Sequence, residues 1–114
     1  MTAYRKWDII LVPFPFTDLT AVKKRPALVV SPDVYNRTGA DLVIAFITSS
    51  TNMNPRPGDH RIQFWKESGL PKASLLRMKL ATIDRDIVIK KLGRLHKAEQ
   101  KDVCDVLSEF FTGS

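Results

Sequence analysis

Short, nearly unbroken apolar runs recur along the first two thirds of this chain, and the pattern changes only near its end. "DIILV" (8–12), "PALVV" (26–30) and "DLVIAFITSS" (41–50) are rich in β-branched residues and bounded by proline, charge or hydroxyls. Those are the marks of short buried strands. "HRIQF" (60–64) alternates polar and apolar and predicts a half-exposed strand. "LLRMKLATI" (75–83) and "IVIKKLGRL" (87–95) interleave cations with aliphatics and predict two further strands. At the end the period lengthens: Val103, Val106, Leu107 and Phe110 fall at i, i+3, i+4 and i+7. That stripe predicts an amphipathic helix over 97–111 that packs across the sheet.

The segments between these elements carry turn chemistry. In "PFPFTDLTAVKK" (13–24), Pro13 and Pro15 each lack the amide that a central ladder needs. The reading is a mobile connection that presents Phe14 and Phe16 and carries Lys23 and Lys24 at its far end. "SPDVYNRTG" (31–39) predicts a helix of about two turns, with Ser31 or Asp33 as cap, Pro32 early and Gly39 as stop. "TNMNPRPGD" and "ESGLPKAS" read as loops. Strands at short intervals followed by one helix predict a small twisted sheet or partly open barrel with a helix at one edge.

Composition narrows the class. With 114 residues, 44% hydrophobic and 26% charged, the chain suits a single domain, 1–114, with its own core. The net charge of +6 favours polyanionic partners such as nucleic acid, an anionic membrane surface or an acidic protein. Cys104 is the only cysteine, so no intramolecular disulfide forms. The one cysteine and two histidines supply no CxxC or HExxH spacing for a metal. "IILVPFPF" is too short to cross a bilayer, and "MTAYRKWD" has no apolar signal core. A cytoplasmic location without membrane attachment is the expectation.

The densest positive charge, "KKRP" (23–26), stands at the entrance to a buried strand. Pro26 biases Arg25 towards extended backbone, and "ALVV" behind it anchors the origin of the guanidinium. Arg25 is therefore fixed while Lys23 and Lys24 stay free to track phosphates. The longest apolar run ends in Thr48, Ser49, Ser50 and Thr51, which delivers hydroxyls to a strand end. Such a threonine also commonly satisfies its own turn backbone. By alternation, Arg77 and Lys79 point to one side, either lining a groove or covering an exposed sheet face.

In this order, "WDIILVPFPF", "KKRPALVVSPDVYN", "VIAFITSS" and "SLLRMKLATIDRDIVIKKLGRL", closed by a helix, resemble the PemK/MazF family of toxin endoribonucleases from toxin-antitoxin pairs. The resemblance runs from about residue 7 to residue 111. It implies a mainly β (α+β) fold, an SH3-like partly open barrel of five to seven strands with a short helix after strand 2 and a C-terminal helix, working as a homodimer. It also implies metal-independent cleavage of single-stranded RNA, often messenger RNA at short sequences, leaving a 2′,3′-cyclic phosphate and a 5′-hydroxyl, with no cofactor. An acidic antitoxin that folds over the same cations is implied as partner. Carried over by motif, the family's "RP" arginine falls on Arg25 and its "TS" threonine on Thr48.

The chemistry suits these residues. Attack of a ribose 2′-hydroxyl on its own phosphate builds charge on the non-bridging oxygens, which a fixed guanidinium and a hydroxyl stabilise. Arg25 and Thr48 are the catalytic candidates; Lys23, Lys24, Ser49, Arg77 and Lys79 are the RNA-binding ones. Many family members carry an acidic residue where this chain has Arg77, Met78, Lys79 and Ala81, and no carboxylate precedes Asp84 in that strand. This leaves the general acid or base unassigned. His60 opens a strand after a loop and is a possible acid/base, whereas His96 reads as a helix-terminus residue. Phe14 and Phe16 either stack bases or cover the core edge; Trp7 and Trp65 read as packing residues, and Cys104 as a small buried side chain. Two other classes share the pattern. One is a catalytically inactive RNA-binding module. The other is a gyrase-poisoning toxin of the related fold, acting through the helix end around 110–114.

Overall fold

The computed structural model describes residues 3–14, 23–51 and 54–113. Phe16 and the centre of the 13–24 connection lie outside the described residues. The elements are β1 (Asp8–Phe14), β2 (Lys23–Val29), α1 (Asp33–Thr38), β3 (Asp41–Thr48), β4 (His60–Arg61), β5 (Leu75–Asp84), β6 (Lys90–Arg94) and α2 (Lys97–Thr112). The six strands make one sheet in the order β4-β5-β3-β2-β1-β6, and every neighbouring pair is antiparallel. It curls into a half-barrel, as the barrel expectation required. Among the described residues no helix is long and apolar enough to cross a membrane.

The apolar runs are unbroken because the sheet is buried on both faces. Ile9, Leu28, Ala45, Ile47 and Leu76 pack on one side with Leu70, Leu95 and Val103 of α2. Ile10, Val12, Ala27, Val29, Ile44 and Ile83 fill the other side. Each of these residues is at most 4% exposed. Trp7 and Trp65 pack against the α2-side cluster, as expected.

The prolines did not end the strands where expected. β1 continues through Pro13 to Phe14, and β2 begins at Lys23 rather than Pro26. The reason is the reach of each neighbour. β6 leaves β1 at the pair Leu11–Lys90, and β3 meets β2 only from Ala27 onward. Pro13 and Pro26 therefore sit where the strand has a single partner, and their missing amides interrupt no second ladder. Lys23, Lys24 and Arg25 are thus strand residues opposite Phe14, Pro13 and Val12.

Four further expectations are corrected. "HRIQF" is a strand only at His60 and Arg61, because the chain turns over 63–69. The amides of Gln63 and Phe64 are taken by the Glu99 carboxylate, at 2.7 and 3.0 Å. "IVIKKLGRL" begins with a 3-10 turn, Arg85–Ile87, fixed by the Asp84 side chain accepting from the Asp86 amide, and extends only from Lys90. Neither Ser31 nor Asp33 caps α1. Pro32 holds the N-cap position without a side-chain bond, Ser31 bonds Asn36 and the Val43 amide, and the Asp33 carboxylate accepts from the Lys6 amide. Cys104 is exposed, since one residue beyond buried Val103 on a helix lies about 100° away.

In α2, Val103 is buried and Leu107 packs on the core, but Phe110 is 42% exposed. His96 caps the helix by accepting from the Ala98 amide, as its position suggested.

Candidate active site

The strand register puts the predicted residues on one face. Ile10 and Ala27 are paired, Val12 pairs with Arg25, and Ala27 pairs with Phe46. Alternation then places Phe14, Arg25, Phe46 and Thr48 on the face that carries Ile10, Val12, Val29 and Ile44. The apolar filling of the half-barrel ends, and these side chains continue its surface. Together with Arg77 and Lys79 they line a cleft of about 180 Å³.

β5 reaches this cleft through a bulge. Between the pairs Ala45–Leu80 and Ile47–Leu76, β3 has Phe46 alone where β5 has Arg77, Met78 and Lys79. The two extra residues preserve alternation, so Arg77 and Lys79 keep the face of Ala81 and Ile83. Bulges of this kind concentrate next to functional sites, where they re-aim side chains.

Aromatic rings hold the cations. Phe14 and Phe46 meet edge-to-face with centroids 5.6 Å apart. The Arg25 guanidinium lies 5.2 Å from the Phe14 centroid. Lys79 Nζ lies 5.7 Å from Phe14 and 5.8 Å from Phe46. A ring face attracts a cation without supplying a hydrogen-bond acceptor, so the N–H groups of Arg25 remain available to an anion. Phe14 thus supports Arg25 from β1.

Thr48 Oγ1 accepts a 3.1 Å bond from the Ser50 amide. The hydroxyl does satisfy its turn, but as an acceptor. Its proton is left to donate, and Thr48 lines the cleft.

Arg77 is engaged differently from Arg25. It is 8% exposed, and it grips Asp59 at two points while Nη2 also approaches the Asn54 carbonyl. The guanidinium holds the Asp59 carboxyl below its usual value, by direct hydrogen bonding against the opposing cost of burial. Arg77 ties the loop to the wall of the cleft.

Asp59 was not visible as a site residue in the sequence. No carboxylate precedes Asp84 in β5, yet the turn before β4 supplies one to Arg77. Gly58 makes this possible: at φ +88° it lies so close to β5 that a Cβ there would meet Met78 Cγ at 2.5 Å. The "PGD" turn signal was legible; its docking on β5 was not.

The remaining candidates are dispersed. Lys24 and Ser49 lie on the opposite face at the same strand ends and line a second pocket with Arg25. Lys23 is exposed at the start of β2, opposite Phe14. His60 does not line the cleft; its Nε2 is 2.6 Å from the buried Glu99 carboxylate, which it helps to satisfy.

Comparison with known proteins decides the family. The profile of the PemK-like, MazF-like toxins of type II toxin-antitoxin systems matches residues 5–111. This chain belongs to that family. Comparison with curated proteins gives no match.

Among solved structures, the PemK/MazF-like chain is similar to an endoribonuclease in complex with its cognate antitoxin from a mycobacterial species, at 19% identity and TM-score 0.75, with 98% of each chain covered. A mycobacterial endoribonuclease is similar at 21% identity and TM-score 0.73, with 97% of this chain and 93% of that one covered. The MazE-MazF complex from Deinococcus radiodurans is similar at 17% identity and TM-score 0.73 over the whole of both chains. At these identities the likeness establishes the fold of this PemK/MazF-like toxin. Its chemistry rests on the residues above.

Proposed function

We propose that this PemK/MazF-like toxin is an endoribonuclease that cleaves single-stranded RNA by attack of a 2′-hydroxyl on its own phosphate. The observation that carries the reading is Arg25 seated on the Phe14 ring, with its N–H groups available and Thr48 and Lys79 in the same cleft.

A phosphate in the cleft takes two N–H bonds from Arg25 and one O–H bond from Thr48, with Lys79 as a further positive charge. These donors are worth most when charge builds on the non-bridging oxygens. The 2′-oxygen forms a bond to phosphorus as the bond to the 5′-oxygen breaks, giving a 2′,3′-cyclic phosphate and a 5′-hydroxyl. The proton lost by the 2′-hydroxyl and the one gained by the 5′-oxygen exchange with water. Asp59 is a poor base, because Arg77 holds it ionised at two points. His60 is assigned to structure. The charge that a metal ion would otherwise supply comes from Arg25 and Lys79.

An acidic antitoxin segment covering Lys23, Lys24 and Arg25 completes the reading, and it competes with RNA for the same cations. The toxin works in the cytoplasm, where its RNA is, as a homodimer. Val34, Tyr35 and Phe111, which are 57, 41 and 66% exposed, support a contact between copies.

The test is incubation with a long single-stranded RNA in excess EDTA, with the cut ends mapped. Wild type gives discrete cuts with cyclic-phosphate ends, and Arg25→Ala and Thr48→Ala each lose roughly 10²–10³ in kcat. Intact RNA with a folded wild-type protein would refute the reading.

A further inference from the structure

The cleft is too small to recognise what it cuts. At about 180 Å³ it accommodates a phosphate group, whereas sites for small organic ligands occupy roughly 300–1,000 Å³. A second pocket, of about 490 Å³, adjoins the cleft and is within that range. Arg25 lines both. The two lie on opposite faces of the sheet: Leu11, Lys24, Pro26 and Ile47 have the parity opposite to Phe14, Arg25 and Phe46. Arg25 and Ile47, which line both, mark where the two meet.

We infer that this second pocket is a nucleotide subsite, holding one base next to the scissile phosphate while its cations grip the adjoining backbone. The inference rests on the endoribonuclease reading of the cleft. Lys24, Lys72 and Lys90 bring cations from β2, the loop before β5 and the start of β6, and among the described residues no carboxylate lines the pocket. Pro71 and Leu92 give apolar walls on which a base face packs. Ser49 and Ser74 place hydroxyls at the same pocket; Ser74 donates to the Lys72 carbonyl, so its oxygen is left to accept from a base edge.

The wall is rigid as well as shaped. Gly69, at φ +90°, lies against β6 so closely that a Cβ would meet the Leu92 carbonyl oxygen at 2.4 Å. Gly93 faces it, and a Cβ there would meet the Ser68 carbonyl oxygen at 2.2 Å. The turn and β6 are thus locked together beside the pocket, and binding needs no rearrangement of that wall.

The test uses a short RNA made uncleavable by a 2′-deoxy residue at the scissile position, so binding is read whether or not the protein cuts. Lys72→Ala/Lys90→Ala is compared with wild type over a salt series, with Lys72→Glu as a second variant; both lysines are exposed, so the fold is retained. Removal of two phosphate contacts weakens binding about tenfold and lowers the slope of log K against log salt by about 1.4. An abasic residue scanned along the RNA weakens wild-type binding about tenfold at one position, on one side of the scissile link only. Unchanged affinity and slope in the variants, or an abasic penalty equal on both sides or absent, overturns the inference. Loss confined to an Asp/Glu-rich peptide, with RNA binding intact, overturns it in favour of an antitoxin site. A wild-type protein that binds as described but never cuts the all-ribose RNA refutes the nuclease reading alone.

Discussion

Arg77 and Asp59 meet at two points, with Nε 3.1 Å from one carboxylate oxygen and Nη2 2.8 Å from the other. Both side chains are below 10% exposed, at 9 and 8%. Loss of one partner strands the other's charge away from water, which costs far more than loss of an exposed pair. Lys101 and Asp105 provide the comparison, at 84 and 65% exposed. Asp59→Asn lowers the urea midpoint several-fold more than Lys101→Ala, and it loosens the bulge that carries Lys79 into the cleft. Equilibrium urea unfolding of the two variants beside wild type checks this.

The same pair sets an acid limit. Asp59 titrates below its ordinary 3.8 in the folded chain because Arg77 bonds its ionised form. A folded value below the unfolded one means that its contribution to stability is complete above about pH 4. That contribution is lost as pH falls through the lowered value. Wild type therefore loses stability on acidification below pH 3.8, and Asp59→Asn, with no proton to bind there, loses less. Urea midpoints measured between about pH 2 and 6 test the difference.

Glu99 is the buried carboxylate of α2, at 1% exposed, and it accepts from the Gln63 and Phe64 amides as well as His60. It joins the helix to the turn that follows β4. Glu99→Gln keeps one carbonyl oxygen and replaces the other with a donor that faces existing donors. The expected cost is about 1–3 kcal/mol of folding stability, read from urea unfolding. Glu99 does not line the cleft, so kcat/KM for RNA stays near wild type.

The sheet was legible because burial on both faces writes unbroken aliphatic runs, and α2 because its stripe is written at helical spacing. The strand ends were not. Whether Pro13 breaks a ladder depends on how far β6 extends, which is a property of the partner strand. Glu99 carries no signal in the sequence, and only the turn at 63–69, whose amides it accepts from, shows why it is buried. At the site, Arg25 and Thr48 stood out by the proline that fixes one and the apolar run that ends at the other, and Lys79 by its alternation with Arg77. That they share one cleft follows from the strand register, which the sequence does not carry. Nothing in the apolar run 41–48 sets Phe46 apart from its neighbours. Asp59 reaches Arg77 from a turn, across a sequence gap with no periodicity to announce it.

Phe14 is the residue whose role separates positioning from packing. Its ring lies 5.2 Å from the Arg25 guanidinium and meets Phe46 at a near right angle. A leucine there fills much of the same space and keeps the strand, but it has no π face. Cation–π contacts range from weak at exposed sites to about 2 kcal/mol when desolvated. Phe14→Leu therefore loses about 3- to 30-fold in kcat/KM for RNA cleavage. Phe14→Tyr keeps the face and stays within about threefold of wild type. A purely structural role makes the opposite prediction. It would have Leu tolerated and Tyr, with its added hydroxyl, penalised, together with a fall in urea midpoint that parallels activity. Arg25→Lys separates the charge from the planar fork: a lysine stays on the ring but holds only one phosphate oxygen at a time, so it does not restore activity. Cleavage kinetics and urea midpoints on these variants distinguish a ring that aims Arg25 from one that fills space.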